Sequence, residues 1–387
     1  MSLLRSARFP AVMLLIAAAV GLILANSPLG PGLAELKSTH LAIEGTPFDL
    51  SIAHWISDGL LAIFFFVAAI ELRYELTKGA LREPRKAMVP AIAAAGGVIV
   101  PILVYLAFTN GTPSATGWPI PTATDIAFAL GVLAVFGRGL PGNVRAFLLA
   151  LAILDDIVGI IFIAVLFTTG LNPVWLAVAA GLVLVFFVLS RVQPRTTTDA
   201  ALRQAALLII GIATWAAVYQ SGVHATIAGV ALGFAMAPRK ADRLRHRLEP
   251  WVNALVLPIF AFSSAAVMVP SVSMSELSPA FWGILVALPV GKIIGIALAG
   301  YIAQKALGTQ SDSHLPIGDL IAAGALGGIG FTVSLLLGEL AFKGNAEVGA
   351  EVTLAVLAGS IISMILSAIL VTLRARSYRK AAAVDAT

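Results

Sequence analysis

Two adjacent aspartates, Asp155 and Asp156, lie midway through an otherwise apolar stretch that runs from Ala150 to about Phe167. The stretch is long enough to cross a bilayer as a helix. Carboxylates at membrane depth are costly, and an ionisable residue there is by default functional. Successive residues of a helix point about 100° apart, so one carboxylate can face a cavity while the other faces a partner on another helix. Apolar residues on both sides argue against the alternative that the pair marks a helix end at the water interface.

A lysine in the apolar stretch LPVGKIIGIAL is the second unusual charge at membrane depth. Lys292 cannot readily extend to water, and a buried ammonium needs a carboxylate partner or must lose its proton. We predict that one member of the Asp155 and Asp156 pair is this partner. The other polar candidates at membrane depth are Asp58, Thr124, Asp125 and His224, with Glu71 nearer the cytoplasmic end of its helix.

These candidates differ in how strongly they point to function. Asp125 follows Pro119 and Pro121 next to a helix break, where a carboxylate would offset the partial positive charges of helix N-termini. Asp58 lies near the external end of its helix, so an interfacial residue is an equally good interpretation. A single histidine such as His224 at a helix start is more often structural, or a modest pH modulator, than a ligand.

The residue types suit a hard monovalent cation that is exchanged for protons. Carboxylate, hydroxyl and freed carbonyl oxygens can replace the hydration shell of such an ion. Burial disfavours a charged carboxylate, so protons and the cation compete for the same oxygens. This competition predicts that the site is either protonated or loaded, and that activity falls at acid pH. We expect no cofactor and no enzymatic activity.

The composition indicates a polytopic helical membrane protein. Of 387 residues, 59% are hydrophobic and 12% are charged, and the charged fraction is about half that of soluble domains. The apolar segments are too long for barrel strands and do not alternate. With no Cys in the chain, disulfides and thiol chemistry are excluded. The net charge of +5 raises the question of a nucleic-acid partner, but membrane topology explains it better.

Hydropathy predicts about twelve membrane segments. They are roughly 9–26, 52–78, 86–109, 121–137, 142–168, 173–191, 200–219, 222–237, 247–269, 280–302, 318–338 and 347–373. The longest connection, about 27–51, contains Leu41-Ala42-Ile43, then Gly45-Thr46-Pro47, then Phe48-Asp49-Leu50. This alternation around a turn predicts a short β-hairpin.

The basic residues set the orientation. If both termini are cytoplasmic, all but three of the 25 Lys and Arg residues lie on that side; Lys37 and Lys343 are external, and Lys292 is inside a helix. Such a distribution follows the positive-inside rule. Arg5, Arg8 and the apolar residues that follow resemble a signal peptide, but their length favours a retained first helix.

Two segments are poor continuous helices. Residues 117–136 contain prolines ahead of Thr124 and Asp125, and residues 315–337 contain Gly324, Gly327, Gly328 and Gly330. Proline removes a backbone donor, and glycine lets the chain leave helical geometry. Interrupted segments at matching places in two halves point to a transport site, although glycines also serve close helix packing. We predict one transporter domain, 1–387, with inverted repeats over about 86–168 and 280–373.

The chain resembles the NhaA-type sodium/proton antiporter family in several motifs that occur in order along its length. They are Thr122-Ala-Thr124-Asp125-Ile-Ala-Phe-Ala-Leu-Gly131, Ala152-Ile-Leu-Asp155-Asp156, Ser221-Gly-Val-His224-Ala-Thr, Gly291-Lys292 and Gly327-Gly-Ile-Gly330-Phe-Thr. The resemblance implies an inner-membrane protein of twelve helices, two of which are broken and cross near the midplane. It implies electrogenic, pH-activated exchange of Na⁺ or Li⁺ for protons, and often a homodimer formed through the external hairpin.

The same resemblance assigns roles to the residues of the site. Asp156 is the main Na⁺ ligand and proton carrier, and Asp155 is a second acid that binds Na⁺ or pairs with Lys292. Thr124 and Asp125 lie at the first helix break, where Asp125 and Lys292 balance the dipoles of the half-helices. Glu71 resembles an acid of the cytoplasmic funnel, and His224 a position linked to pH response.

Some positions depart from the family pattern. Ile293 stands where a proline is frequent, and Phe260-Ala-Phe262-Ser-Ser-Ala-Ala266 lacks an asparagine. Arg245 replaces an acidic residue of the pH-sensing cluster, and Glu249 replaces a histidine. The departures leave the ion site unchanged and concern the pH set-point.

Three alternative functions remain open at this stage. A sodium- or proton-coupled symporter of an organic anion would need a core cation, for which Lys292 is the candidate. An intramembrane aspartyl protease would use Asp125 and Asp156, but the usual Gly-x-Gly-Asp sequence is absent. A Ser–His protease would use His224 and lacks a GxSG-like turn.

Overall fold

The computed structural model describes residues 8–42, 48–269, 273–274, 276–307 and 314–385. Among these residues, 8 helices are long and apolar enough to cross a membrane, or up to 11 if each bent pair of helices is one span. The prediction of a multi-pass helical membrane protein is confirmed. In chain order, the helices are α1 (Arg8–Ala25), α2 (Gly30–Ser38), α3 (Ile52–Thr77), α4 (Pro84–Thr109), α5 (Ile126–Phe136), α6 (Gly142–Leu166), α7 (Pro173–Arg191), α8 (Thr197–Gln220), α9 (Thr226–Ala235), α10 (Pro238–Ala265), α11 (Pro279–Leu307), α12 (Ile317–Gly327), α13 (Phe331–Ala341) and α14 (Ala346–Asp385).

The predicted hairpin is confirmed in its strands. Strand β1 (His40–Ala42) pairs antiparallel with β2 (Asp49–Ser51), and Leu41 lies opposite Leu50. The predicted turn, with Ile43 and Gly45-Thr46-Pro47, lies outside the described residues. The preceding connection also contains α2, a helix that hydropathy did not predict because it is too short and too polar to resemble a span.

The chain forms two compact units. The first comprises the described residues within 1–30, 80–159 and 264–387, and the second those within 31–79 and 160–263. In the first unit, the core joins α4, α6, α11 and α12 through Ala93, Leu151, Ile296, Leu320 and Ala323. In the second, the core joins α3, α7, α8 and α9 through residues such as Ile70, Phe186, Leu207 and Leu232.

Both predicted interrupted segments are bent. The first consists of 3-10 turns over Pro113–Gly117 and Ile120–Thr122 followed by α5, and it bends by 46°. The second consists of α12 and α13, which meet at 50°. Both belong to the first unit.

Two helices are longer than hydropathy predicted. The basic residues 239–246 were read as a connection, but they belong to α10, and α14 continues past 373 to Asp385. Both additions are rich in Arg, Lys and Ala or Leu, which favour helix, and Pro238 starts α10 at a position where proline is tolerated. The apolar run indicates where a helix can lie in lipid and does not mark where the helix ends.

Candidate functional site

A buried ion pair joins α11 to α6 in the first unit. Lys292 Nζ lies 2.6 Å from Asp155 Oδ2, and both side chains are 0% exposed. The ammonium also donates to the Thr122 carbonyl and, at 3.2 Å, to Thr124 Oγ1. An ammonium has three protons, and here each has an acceptor. These three bonds to the ammonium help to offset the cost of taking both charges out of water.

A π-helical turn, Ala287–Gly291, sets the position of Lys292 on α11. Pro289 has no N–H, so the regular hydrogen-bond ladder fails there, and the Lys292 N–H instead bonds to the Ala287 carbonyl. Turns of this kind are frequent at functional sites. Ile293 follows the lysine, so the nearest proline of this helix, Pro289, precedes it.

Glycines bring the backbone around Lys292 unusually close to two neighbouring helices. A Cβ on Gly295 would lie 2.2 Å from the Gly96 carbonyl oxygen of α4. A Cβ at Gly324 of α12 would lie 2.7 Å from Ile293 Cα, and one at Gly328, just after α12, would lie 2.5 Å from the Leu288 carbonyl oxygen. No larger residue fits these approaches, so α4 and α12 fix the backbone that carries Lys292.

Thr124 links the ion pair to the second broken segment. Its Oγ1 lies 2.7 Å from Asp155 Oδ2 and 2.7 Å from the carbonyl oxygen of Gly327, the last residue of α12. A threonine hydroxyl has a single proton, so Thr124 donates to one of these acceptors at a time. The side chain therefore offers the site two hydrogen-bonding states.

Asp125 receives the N-termini of two helices. Its Oδ1 accepts from Phe128 N at 3.2 Å, which caps α5, and its Oδ2 accepts from Thr332 N at 3.3 Å and Thr332 Oγ1 at 2.7 Å in α13. Its own N–H donates to the Ile329 carbonyl at 2.6 Å. A carboxylate at two helix N-termini is stabilised by unpaired N–H groups and by the helix dipoles.

The two adjacent aspartates lie in different surroundings. Asp155 is buried and forms the ion pair with Lys292, while Asp156 is partly exposed. The second oxygen of the buried acid, Asp155 Oδ1, has no hydrogen-bond partner among the described residues. A buried carboxylate oxygen that no donor reaches is an available ligand for a cation or a proton.

The remaining candidates form local pairs in the second unit. Asp58 Oδ1 lies 3.4 Å from His224 Nε2, and His224 Nδ1 lies 2.8 Å from Thr226 Oγ1. Glu71 Oε1 lies 3.4 Å from Arg245 Nη1. The structure thus joins Thr124, Asp155 and Lys292 in one hydrogen-bonded network. Asp125 follows Thr124 in the chain and bonds to the helix N-termini instead, and Asp156 is partly exposed. Asp58 pairs with His224, and Glu71 pairs with Arg245.

Sequence reasoning missed several hydrogen-bond partners of the site residues. Thr332 was quoted in a family motif but was given no role, and the carbonyls of Thr122, Gly327 and Ile329 were not foreseen. The signal for Thr332 was its position just after the glycine-rich break, which mirrors Thr124 beside the first break. The carbonyls carried no signal, because every residue has one.

Comparison with known proteins identifies the family. A model of the family described as Na⁺/H⁺ antiporter 1 matches residues 1–371. The chain belongs to this family. It is 53% identical over 384 residues to Na⁺/H⁺ antiporter NhaA 2 of Clavibacter michiganensis subsp. michiganensis, covering 99% of this chain and 94% of the relative.

Two other relatives named Na⁺/H⁺ antiporters are similar to this chain over nearly its whole length. Identity is 46% over 376 residues to Na⁺/H⁺ antiporter NhaA of Tropheryma whipplei strain Twist, covering 96% of this chain and 94% of the relative. It is 41% over 388 residues to Na⁺/H⁺ antiporter NhaA of Mycolicibacterium smegmatis, covering 98% and 88%. The resemblance inferred from the motifs is confirmed.

Proposed function

We propose that the chain exchanges Na⁺, and also Li⁺, for protons by alternating access at Asp155 and Asp156. The observation that carries the proposal is the solvent-sealed ion pair of Lys292 and Asp155 beside a partly exposed second acid. Membership of the Na⁺/H⁺ antiporter 1 family supports it, as do relatives named Na⁺/H⁺ antiporters.

Asp156 is the first cation ligand and a proton carrier in this mechanism. It is partly exposed whereas Asp155 is buried, so in this mechanism the ion meets Asp156 first. Binding of Na⁺ then draws in Asp155, whose Oδ1 has no donor among the described residues. Once Asp155 turns to the ion, Lys292 is an uncompensated buried ammonium, and desolvation drives it to release its proton.

Thr124 follows Asp155 in this exchange. While Asp155 is paired with Lys292, the Thr124 hydroxyl can donate to Asp155 Oδ2. After Asp155 turns to the ion, the hydroxyl donates to the Gly327 carbonyl instead, since both acceptors are 2.7 Å away. The hydroxyl oxygen then becomes a further ligand for the ion. Asp125 keeps the helix N-termini of both broken segments together throughout.

This mechanism makes transport electrogenic. Asp156 and Lys292 each release a proton, and one Na⁺ replaces them, so the site moves more protons than sodium ions per cycle. At acid pH, protonated Asp156 excludes the cation, and the rate falls. Glu71, His224 and Asp58 adjust this pH response through their pairs in the second unit.

The finer architecture belongs to the same proposal. If α9 is counted as a short span and each broken segment as one, the chain has twelve membrane segments. They form a single transporter domain with inverted repeats over about 86–168 and 280–373. The broken segments cross near the midplane of the cell's inner membrane, and both termini are cytoplasmic. The hairpin of β1 and β2 is external and joins two copies of the chain.

Everted vesicles with a pH-sensitive dye test the proposal. Addition of Na⁺ or Li⁺ should release protons from vesicles that contain the parent chain, and Asp156→Asn should abolish the signal. Glu347→Gln, an exposed acid at the start of α14, is the matched control and should leave the signal unchanged. A Na⁺ response that survives Asp156→Asn in folded protein would show that the site is wrongly assigned.

The stoichiometry has its own test. Lys292→Gln removes one of the two proton carriers, so the charge moved per Na⁺ in proteoliposomes should fall toward zero. An unchanged charge per Na⁺ would remove Lys292 from the proton path and leave the rest of the proposal in place.

The alternative functions receive no support from the geometry. An organic-anion symporter needs a free cation in its core, but the Lys292 ammonium already has three acceptors. An aspartyl protease needs its two acids for a water molecule, but both oxygens of Asp125 accept from Phe128 and Thr332.

A further inference from the structure

Helix α12 begins with a buried acid that belongs to none of the groups above. Asp319, in the first turn of α12, is 0% exposed. Its Oδ1 accepts from Arg374 Nε at 2.7 Å and its Oδ2 from Tyr378 OH at 2.5 Å. Both donors lie on α14. We refer to Asp319, Arg374 and Tyr378 as the α12 anchor.

A second clamp holds the residues just before α12. Gln304 of α11 donates from Nε2 to the Leu315 carbonyl at 3.1 Å, and its Oε1 accepts from Leu315 N at 2.6 Å. Gln304 is 3% exposed. The start of α12 is therefore hydrogen bonded to α11 on one side and to α14 on the other.

The opposite end of α12 lies in the ion site. The Gly327 carbonyl accepts from Thr124, and the Gly324 backbone packs against the backbone of Lys292 and Ile293. Helix α12 has 11 residues without interruption, which corresponds to about 16 Å of rigid rod. A displacement at its base therefore moves the Gly327 carbonyl, because a helix this short does not bend without a proline or a bulge.

Helix α14 also holds the other half of the broken segment. Ser360 Oγ accepts from Phe331 N, the first residue of α13, at 3.2 Å. Both half-helices are thus hydrogen bonded to α14, one at its base and the other at the break. The α12 anchor contains an ion pair, whereas the Phe331–Ser360 contact is between uncharged groups. Asp319 is also farther in sequence from Gly327 than Phe331 is.

We propose that the α12 anchor sets the affinity of the site for its cation, so that Asp319, Arg374 and Tyr378 are positioning residues. The inference rests on the proposed function. The anchor holds α12 along its axis and keeps the Gly327 carbonyl within reach of the Thr124 hydroxyl. When the anchor is released, α12 shifts, Thr124 loses its second acceptor, and the cation loses a ligand that depends on it.

Two substitutions test the inference at different strengths. Asp319→Asn removes the ion pair with Arg374. The Arg374 side chain is 26% exposed, so it can still reach water in this variant. Tyr378→Phe removes only the hydroxyl that donates to Asp319. Arg376→Gln, an exposed arginine on the same helix, is the matched control. The measurements are the apparent KM for Na⁺, the maximal rate per folded protein, and the rise in unfolding temperature on addition of Na⁺.

Asp319→Asn should raise the KM for Na⁺ about threefold to tenfold and reduce the thermal stabilisation by Na⁺. Tyr378→Phe should move both quantities in the same direction by less, and Arg376→Gln should move neither. The double variant should not exceed Asp319→Asn in KM, because both changes release the same contact. If Asp319→Asn does not fold, Tyr378→Phe alone decides the matter.

A merely structural role predicts a different pattern. It lowers the unfolding temperature or the yield but leaves the KM and the Na⁺-dependent stabilisation of the folded fraction unchanged, and that result would overturn the inference. If instead the parent chain shows no Na⁺-driven proton movement, the proposed function fails, and the inference that rests on it fails too. Activity of the parent distinguishes the two failures.

Discussion

The first broken segment bends by 46° and the second by 50°, and residues 123–125 and 328–330 interrupt them, respectively. The chemistry of the two interruptions differs. The first contains Thr124, whose hydroxyl bonds to Asp155 and the Gly327 carbonyl, and Asp125, whose carboxylate accepts from Phe128 and Thr332. The second contains Gly328, Ile329 and Gly330, and it meets the first through its backbone, where the Ile329 carbonyl accepts from the Asp125 N–H. One break supplies charge, and the other supplies a backbone that can approach closely.

This difference explains why the two segments need each other. The N-terminus of α13 lacks a capping side chain of its own, and Asp125 of the first segment accepts its N–H group instead. The Asp125 N–H in turn donates to the Ile329 carbonyl. Each segment has backbone groups at its break that a continuous helix would pair, and in these two bonds the other segment pairs them.

The largest effect should follow from removal of the charge at the first break. Asp125→Leu leaves the N–H groups of Phe128 and Thr332 buried and unpaired, each at a cost of about 1–3 kcal/mol. We expect folded protein in detergent to be nearly lost, measured by size-exclusion and thermal unfolding. Asp125→Asn keeps an acceptor oxygen and should be affected much less.

Asp199→Leu provides the control for this prediction. Asp199 also accepts from a backbone N–H at a helix N-terminus, because it bonds to Thr196 N in the capping box of α8, but it is exposed. Loss of a cap at an exposed position costs about 1 kcal/mol. If Asp125→Leu is no less stable than Asp199→Leu, the break does not depend on the carboxylate.

The second break should be sensitive to volume and insensitive to charge. Gly328→Ala places a Cβ 2.5 Å from the Leu288 carbonyl oxygen and 2.7 Å from Ser363 Oγ. We expect a loss of about 1–3 kcal/mol in stability and a lower transport rate, because the helix that carries Lys292 must move away. Gly181→Ala in α7, where nothing lies within 4 Å, should be neutral or slightly stabilising, and equal unfolding temperatures for the two variants would contradict the prediction.

Much of this contrast could be predicted from the sequence. Prolines before Asp125 and glycines at 324–330 predicted where both segments break, because these residues disturb the helical backbone by known means. Apolar run length predicted α4, α6 and α7 within a few residues. The basic part of α10 was missed because a search for apolar segments gives no information on helices made of charged residues.

The pairing of distant side chains was harder to foresee. Helical geometry predicted that Asp155 and Asp156 point apart, but it did not say which one meets Lys292. Asp319 was overlooked because it lies near the end of an apolar segment, where an acid usually faces water, and its partners on α14 come 55 and 59 residues later. Such contacts depend on how helices pack, which a pattern within one helix does not record.

The smallest effect should come from loss of the Thr332 hydroxyl. Thr332 belongs to the second broken segment, and its hydroxyl donates to Asp125 of the first. Thr332→Val removes the hydroxyl that donates to Asp125 Oδ2 at 2.7 Å and leaves the backbone N–H in place. We expect a loss of about 0.5–1.5 kcal/mol, because Asp125 Oδ2 keeps the Thr332 N–H as a donor, with a modest decrease in transport rate in vesicles. Thr332→Ser keeps the hydroxyl and should behave like the parent. If the valine variant is unaffected while Asp125→Asn is impaired, Asp125 acts through the backbone N–H groups alone, and the second segment contributes only backbone to the site.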